Sequence, residues 1–318
     1  MIDGILIIDK PENFTSHDVV ARLRRILKTK RIGHTGTLDP FATGVLVMLV
    51  GKATRLAQFL DKDVKEYEAV VRFGFETDTG DRTGRRKAKG ERRKAEELKI
   101  EELENALKDF RGEIEQTPPM YSAKKVAGKK LYELARKGVE IERKPVTVTI
   151  YELEIIEPQK REDAGTNESQ EVNFHSPLST FNYALRVACS AGTYVRTLAE
   201  DIGRKIGAGA HLAELRRTRA GNFDLSKAVT LEELEKIVGS EKLADILISM
   251  NEAVSHLPKA ILNAEEIKDI KNGKRLSFES VEIEDNQPIR MIDAAENLTA
   301  IGFYNKKEKF IQPKIVML

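Results

Sequence analysis

The chain has 318 residues, enough for one large domain plus a small one, or for two domains, with a sizeable core. Hydrophobic residues make up 41% and charged residues 33%, an ordinary soluble composition with a highly charged surface. One cysteine, Cys189, excludes an internal disulfide and a cysteine-rich metal site, and the formal charge of +2 says little until it is mapped. Along the chain, Ile5 to Ile8 reads as a strand ending at Lys10-Pro11. Ser16 is the expected cap of a helix whose apolar residues Val19, Val20, Leu23, Ile26 and Leu27 follow helical spacing. A glycine-rich loop around Asp39 leads into the apolar run Val45 to Val50, a buried strand. Leu56, Phe59 and Leu60 indicate a short helix, Tyr67 to Phe75 an alternating strand, and Thr77 to Gly84 a turn-rich loop. Residues 95 to 110 read as a helix that Gly112 helps terminate, and Val146 to Ile156 as a β-branched strand. The polar stretch 158–180 reads as an exposed insertion. A strand at 183–189 and a helix near 194–206 follow, and Thr230-x-x-Glu233 opens another helix with a capping box. Short strands are expected at Val281 to Glu284, Pro288 to Ile292, Leu298 to Tyr304 and Phe310 to Met317, a small β-rich module. Hairpin-like strands mixed with helices, without regular βαβ alternation, point to an α+β fold.

The charges are segregated. Arg22, Arg24, Arg25, Lys28, Lys30 and Arg31 form one basic run, and Arg82 to Lys94 a second. Lys124, Lys125, Lys129, Lys130, Arg136, Lys137, Arg143 and Lys144 dominate a third, and Arg216, Arg217 and Arg219 make a fourth. Residues 157–171 and 279–285 are net acidic. Any one such run is usually a solvated face, but four together favour a polyanion such as RNA. No apolar run approaches the roughly 20 residues needed to span a bilayer. The N-terminus opens on strand-like sequence without a charged leader, so a reducing cytoplasm is the expected compartment. Cys189 lies in an apolar stretch and reads as a buried small hydrophobe.

The segment Gly33-His34-Thr35-Gly36-Thr37-Leu38-Asp39-Pro40-Phe41-Ala42-Thr43-Gly44-Val45-Leu46 presents one carboxylate between glycines and a proline, anchored on a buried strand. That arrangement can aim an acid in one direction, although a plain turn with Asp39 bonding the backbone has the same spacing. There is no phosphate-binding glycine loop, no HExxH and no cysteine pair.

The same segment resembles the signature of the TruB family of tRNA pseudouridine synthases, which act on uridine 55 of the T-loop. Further matches are Gly4-Ile5-Leu6-Ile7-Ile8-Asp9-Lys10-Pro11, Pro119-Met120-Tyr121-Ser122-Ala123 and Gly192-Thr193-Tyr194-Val195-Arg196-Thr197-Leu198, in the family's order. The resemblance implies the pseudouridine synthase fold, a mixed, largely antiparallel sheet with flanking helices and a central cleft. Residues 1–250 would form the catalytic domain, with a thumb loop at about 117–145, and 251–318 a PUA-like RNA-binding domain. It implies Asp39 as the catalytic carboxylate, Arg196 as its partner and Tyr67 as the active-site tyrosine. Taken alone, Arg196 reads as a surface or phosphate-contacting residue and Tyr67 as a core or edge-strand tyrosine. Tyr194 and Leu215 would line the uracil pocket, a packing role for Leu215 being equally compatible. His34 would be wedged where the uridine leaves its stack, and Lys10 and Pro11 would support the cleft floor. A guanidinium beside Asp39 is expected to depress its pKa. Lys124, Lys125, Lys129 and Lys130 are expected to contact the RNA backbone from a lid. No cofactor and no metal are expected, and the partner is tRNA, bound through its T-loop by a monomer without an obligate protein partner.

Three rivals use the same residues. A non-catalytic RNA-binding protein would not need Asp39, Tyr67 and Arg196 together. A metal-dependent phosphohydrolase could use Asp78, Asp81 and Asp39, though Thr77 to Asp81 is better explained as turn chemistry. A glycosidase needs a second carboxylate opposite the first, and none stands out near the motifs.

Overall fold

The structure, a computed structural model, describes residues 2–60, 64–87, 98–126, 128–156 and 182–318. The expected insertion at 158–180 lies outside these residues, as do Lys89, Arg92, Arg93 and Lys94 and the side chains of Lys125 and Lys130.

β1 (Gly4–Lys10) is followed by α1 (Ser16–Ile26), which starts one residue earlier than expected. Thr15 is the cap: its hydroxyl takes the Asp18 N–H while the Asp18 carboxylate takes the Thr15 N–H. Three residues beyond Ser16 stands Val19, so Ser16 lacks an acid with which to complete such a box. The buried Ser16 hydroxyl instead accepts the Leu38 N–H at 2.9 Å. β2 (Ile32–Thr35) and β3 (Thr43–Val50) flank the Asp39 loop, and α2 (Ala57–Leu60) precedes the alternating β4 (Lys65–Phe73). α3 (Ile100–Lys108) buries Leu103 and Leu107, and Gly112 opens β5 (Gly112–Gln116). The basic segment that follows is a hairpin of β6 (Lys125–Val126) and β7 (Lys129–Lys130), then α4 (Leu131–Ala135), pinned by the fully buried Leu131. Next come β8 (Val146–Ile155), β9 (Asn182–Cys189), α5 (Val195–Ile206), β10 (Ala210–Ala220), β11 (Phe223–Asp224) and β12 (Ala228–Val229). α6 (Leu231–Ile237) carries the expected Thr230–Glu233 box, and α7 (Lys242–Ile246) and α8 (Met250–Ala253) lead out.

Among the described residues ten strands form one sheet, in the order β12-β1-β3-β10-β4-β9-β8-β5 with β2 on β3 and β11 on β10. The β1–β12 and β3–β10 neighbours run parallel and the others antiparallel, the mixed sheet the resemblance implied. β1 and β3 are apolar at nearly every position because both their faces are covered. Leu6, Ile8, Leu46 and Met48 enter the main core, which α3 and α5 also join. Ile5, Ile7, Val45, Val47 and Leu49 enter a second cluster on the other face. Cys189 is buried at the end of β9, and burial pushes its thiol up to about 11, as suits an inert small hydrophobe.

The second cluster is completed by the C-terminal module. β13 (Lys259–Ile261), α9 (Ala264–Lys271), β14 (Leu276–Ser277), β15 (Pro288–Ile292), β16 (Leu298–Asn305) and β17 (Phe310–Val316) build a five-stranded sheet. Its own core holds Ile289, Met291, Ala300 and Ile311, while Ile292, Leu298, Ile301 and Ile315 pack toward Ile5 and Val47. The strand expected at Val281 to Glu284 does not form. Val281 is 91% exposed and only Ile283 turns inward, which gives no row of side chains for a sheet to bury. No helix among the described residues is long and apolar enough to cross a membrane.

Candidate active site

The Asp39 turn hangs between β2 and β3 and is clamped from below. Lys10, fully buried at the end of β1, donates to the carbonyls of Pro11 (2.7 Å), Phe14 (2.6 Å) and Pro40 (3.2 Å). Burial pushes Lys10 down to about 8, although the charge of Asp39 pulls the other way. Gly44 sits at φ +98°, and a Cβ there would lie 2.2 Å from the Arg217 carbonyl oxygen, so only glycine lets β3 and β10 meet at this point.

Arg196 reaches the loop from the first turn of α5. Its Nε lies 2.9 Å from Asp39 Oδ2 and its Nη2 donates to Oδ1 at 3.1 Å, a side-on fork. Nη2 also donates to the Tyr121 carbonyl at 2.7 Å, and Nη1 to that of Thr79 at 2.8 Å. Only 5% of the arginine side chain is exposed, against 32% for Asp39, so the guanidinium is fixed within protein while the carboxylate stays partly open. Arg196 is therefore not the surface arginine that its position alone suggested.

A second carboxylate stands behind this pair. Asp81 Oδ2 lies 3.4 Å from Arg196 Nη1. Its Oδ1 accepts the Thr79 hydroxyl (2.9 Å), the Thr83 N–H (2.9 Å) and the Thr83 hydroxyl (2.5 Å). The turn chemistry read from Thr77 to Gly84 is real, yet it occupies only one oxygen. The other joins the site, a role no local pattern reveals. The depressed pKa expected for Asp39 is not found. Burial, the largest influence, raises its pKa above the usual carboxylate value; Arg196 opposes this, and Asp81 adds to the rise.

Tyr67, on β4, and Leu215, on β10, point to one face of the sheet, since Tyr67 stands opposite Arg217 and Leu215 opposite Ala69. Both belong to the main core, so the packing reading of Leu215 holds whatever else it touches. Burial raises the pKa of Tyr67, Arg217 pulls it back, and Tyr67 feels the charge of Asp39. Tyr194 is the residue before α5, and the buried Gln116 brackets it. Its N–H donates to Gln116 Oε1 at 3.0 Å and its carbonyl accepts from Gln116 Nε2 at 3.3 Å. Burial raises the Tyr194 pKa, and the charge of Arg196 opposes the rise. The segment at Tyr121 thus borders the site, its carbonyl accepting from Arg196. His34 stands at the rim on β2, edge-on to His17 at 5.7 Å, beside an open cavity of about 450 Å³ that Thr37 and Gln58 also line.

The basic runs divide. Arg24, Arg25, Lys28, Lys30 and Arg31 are exposed, Lys129 is exposed and Lys124 half-buried. The fourth run is only partly open to a polyanion, Arg219 alone of the three being exposed. Arg216 forks onto Asp9 at 2.7 and 3.0 Å, Arg219 pairs with Glu66 at 2.6 Å, and Arg217 is 1% exposed. Strand alternation and acids on the nearby strands β1 and β4 took up charges that looked free in sequence. Among the described residues no group of three or more His, Cys, Asp or Glu could hold a metal ion.

A mixed, largely antiparallel sheet with a clamped carboxylate in its central cleft defines the class, a protein of pseudouridine synthase fold. A chain in the crystal structure of a Cbf5–Nop10–Gar1 complex superposes with TM-score 0.69 at 27% identity, covering 98% of this chain and 83% of that one. A chain of an H/ACA RNP bound to a substrate RNA containing 2′-deoxyuridine gives TM-score 0.70 at 24% identity, over 99% and 85%. Residues 24–195 match the N-terminal domain of TruB family pseudouridylate synthase, and residues 196–255 the tRNA pseudouridylate synthase B C-terminal domain. The tRNA pseudouridine synthase B of Solibacter usitatus is 44% identical over 86% of this chain and 85% of its own. That of Geobacillus thermodenitrificans is 41% identical over 94% of both chains. The chain belongs to the TruB family of pseudouridylate synthases.

Proposed function

We propose that the protein isomerises uridine to pseudouridine in tRNA, at position 55 of the T-loop, with Asp39 as the catalytic carboxylate. The observation that carries this reading is the Asp39–Arg196 fork, which aims a single carboxylate into the cleft from a turn clamped by Lys10 and Ser16. The relatives named tRNA pseudouridine synthase B support the substrate class. The reaction breaks the N1–C1′ bond, turns the uracil and forms C5–C1′; C5 loses a proton and N1 gains one, so no electrons are exchanged with a cofactor. Asp39 either attacks C1′ or takes the 2′ proton, and both routes need an ionised oxygen held in one direction. The Arg196 fork supplies the orientation and favours the ionised form against burial.

Tyr67 stacks on the extruded uracil with Tyr194 and Leu215 completing the pocket, and the Tyr67 phenol exchanges the C5 proton. His34 fills the gap left by the uridine. Lys124, Lys125, Lys129 and Lys130 contact the RNA backbone from the thumb. The C-terminal module, from about residue 251, is a PUA-like RNA-binding domain. An open cavity of about 810 Å³ beside Arg275, Phe303, Phe310 and Lys314 offers it cations and aromatic faces. The enzyme works as a cytoplasmic monomer.

The test is incubation with an unmodified tRNA transcript, followed by mapping of the product. Pseudouridine at position 55 is expected from wild type, with EDTA present or absent, and none from Asp39→Asn at RNA affinity within a few-fold of normal. Turnover by Asp39→Asn near that of wild type would sink the assignment.

A further inference from the structure

Arg217 heads the fully buried side chains among the described residues, at 1% exposure, yet its hydrogen-bond partners are neutral. Its strand, β10, lies between β3 and β4, so Arg217 stands in register with Gly44 on one side and Tyr67 on the other. Nε donates to the Val45 carbonyl at 2.7 Å and Nη2 to the Gly36 carbonyl at 2.9 Å. Gly36 opens the loop that carries Asp39, and Val45 lies near the start of the strand after it, so the two carbonyls bracket that loop. Tyr67, in register with Arg217 on the same face of the sheet, also feels the charge of the guanidinium. The glycines fit this arrangement closely. Gly36, at φ +63°, would place a Cβ 3.2 Å from Arg217 Nη1, and Gly44 would place one against the Arg217 backbone.

A charge buried against carbonyls, with no ion-pair partner among the described residues, is costly, and an apolar side chain of similar volume would fill the space at less cost. The planar fork does what no apolar residue can: it presents several donors in fixed directions at once. Here two of those directions are the Gly36 and Val45 carbonyls on either side of the Asp39 turn, and the residue in register beside the fork is Tyr67.

We propose that Arg217 is a positioning residue, which holds the Asp39 loop and the Tyr67 hydroxyl in a single frame so that carboxylate and phenol meet the same uridine. By donating to the phenol oxygen, the guanidinium leaves the hydroxyl proton and the remaining lone pair directed at the cleft. It also eases ionisation of a phenol that burial would otherwise hold neutral. Lysine keeps the charge at this position but cannot serve both carbonyls and the phenol.

This inference rests on the proposed pseudouridine chemistry, and its test separates the two. Wild type is first shown to form pseudouridine in the transcript, which judges the chemistry alone. Arg217→Lys is then compared with wild type under single-turnover conditions. The rate on bound RNA is expected to fall by about tenfold or more while the affinity for tRNA stays within about threefold. An unchanged rate, or equal losses of rate and affinity, would overturn the proposal. The second measurement leaves Arg217 in place and needs no activity. Side-chain spectra of nitrogen-15-labelled arginine are compared between wild type and Tyr67→Phe. Exchange-protected guanidinium signals from the buried Arg196 and Arg217 are expected in wild type, and the one missing from Arg217→Lys is expected to shift when the phenol oxygen is removed. Superimposable spectra would show that Arg217 does not hold Tyr67.

Discussion

Arg196→Lys tests whether the geometry of the guanidinium, rather than its charge, serves catalysis. The arginine meets both Asp39 oxygens at 2.9 and 3.1 Å, two carbonyls at 2.7 and 2.8 Å, and Asp81 at 3.4 Å. A lysine ammonium has three donors that fan from one point on a shorter stem, so at least two of these five contacts are lost. Charge-assisted hydrogen bonds contribute about 1.5 to 3 kcal/mol each, and the lower value applies where the carboxylate is partly open to water. Two lost bonds then amount to about 3 kcal/mol, or about two orders of magnitude in rate if the whole loss falls on the transition state. The retained charge should spare the fold, because neither Asp39 nor Asp81 is left without a cation. The assay follows from the reaction: release of tritium from C5-labelled uridine in a transcript, at saturating enzyme, beside a filter-binding measurement of affinity. A rate within about threefold of wild type would refute the reasoning and reduce Arg196 to a structural cation.

Burial raises Asp39 above its usual 3.8, and protonation abolishes the form that reacts, so kcat/KM should fall with decreasing pH through a value above 3.8. An acid limb at or below 3.8 in the pH profile would contradict this. The same shift has a stability sign: the folded state holds the proton more tightly, so Asp39 stabilises least once pH has risen through its folded pKa. Tyr67→Phe should bind tRNA normally and stall after the glycosidic bond breaks, because the ring stays while the phenol oxygen is lost; full pseudouridine yield at the normal rate would reject a role in proton transfer. Neutralising Lys124, Lys125, Lys129 and Lys130 together should flatten the salt dependence of tRNA binding by roughly 0.7 to 0.9 in log–log slope for each phosphate contact removed. Identical slopes in salt titrations of wild type and variant would mean that the hairpin does not touch phosphate.

Local signals in the sequence carried much of the fold. The apolar runs of β1 and β3, the Thr230–Glu233 box, the alternation of β4 and the glycine-framed Asp39 turn each depend on residues a few positions apart. Propensity, capping and turn chemistry act over that range, so these elements could be read directly. Where two neighbours competed, local reading chose wrongly: Ser16 looked like the cap, but the acid that completes a box lies three residues from Thr15. The motif resemblance brought Asp39, Arg196, Tyr67 and Tyr194 to attention together. Nothing local would have done so, because Asp39 and Arg196 are 157 residues apart.

The contacts that turn these residues into a site were decided by tertiary structure. Asp81 reaches Arg196 across 115 residues and Gln116 brackets Tyr194 across 78. Turn chemistry accounted for Asp81 and nothing local singled out Gln116, because a side chain's local surroundings do not show which distant group it will meet. The fourth basic run makes the same point with the sign reversed. Arg216, Arg217 and Arg219 read as an exposed cationic strip until β10 was inserted between β3 and β4. That placement gave Arg219 a carboxylate on the adjacent β4 and Arg216 one on β1, beyond β3, and enclosed Arg217. The rise in the Asp39 pKa has the same origin. The sequence supplies a carboxylate and an arginine, but how much water the folded sheet removes from around them decides which influence prevails.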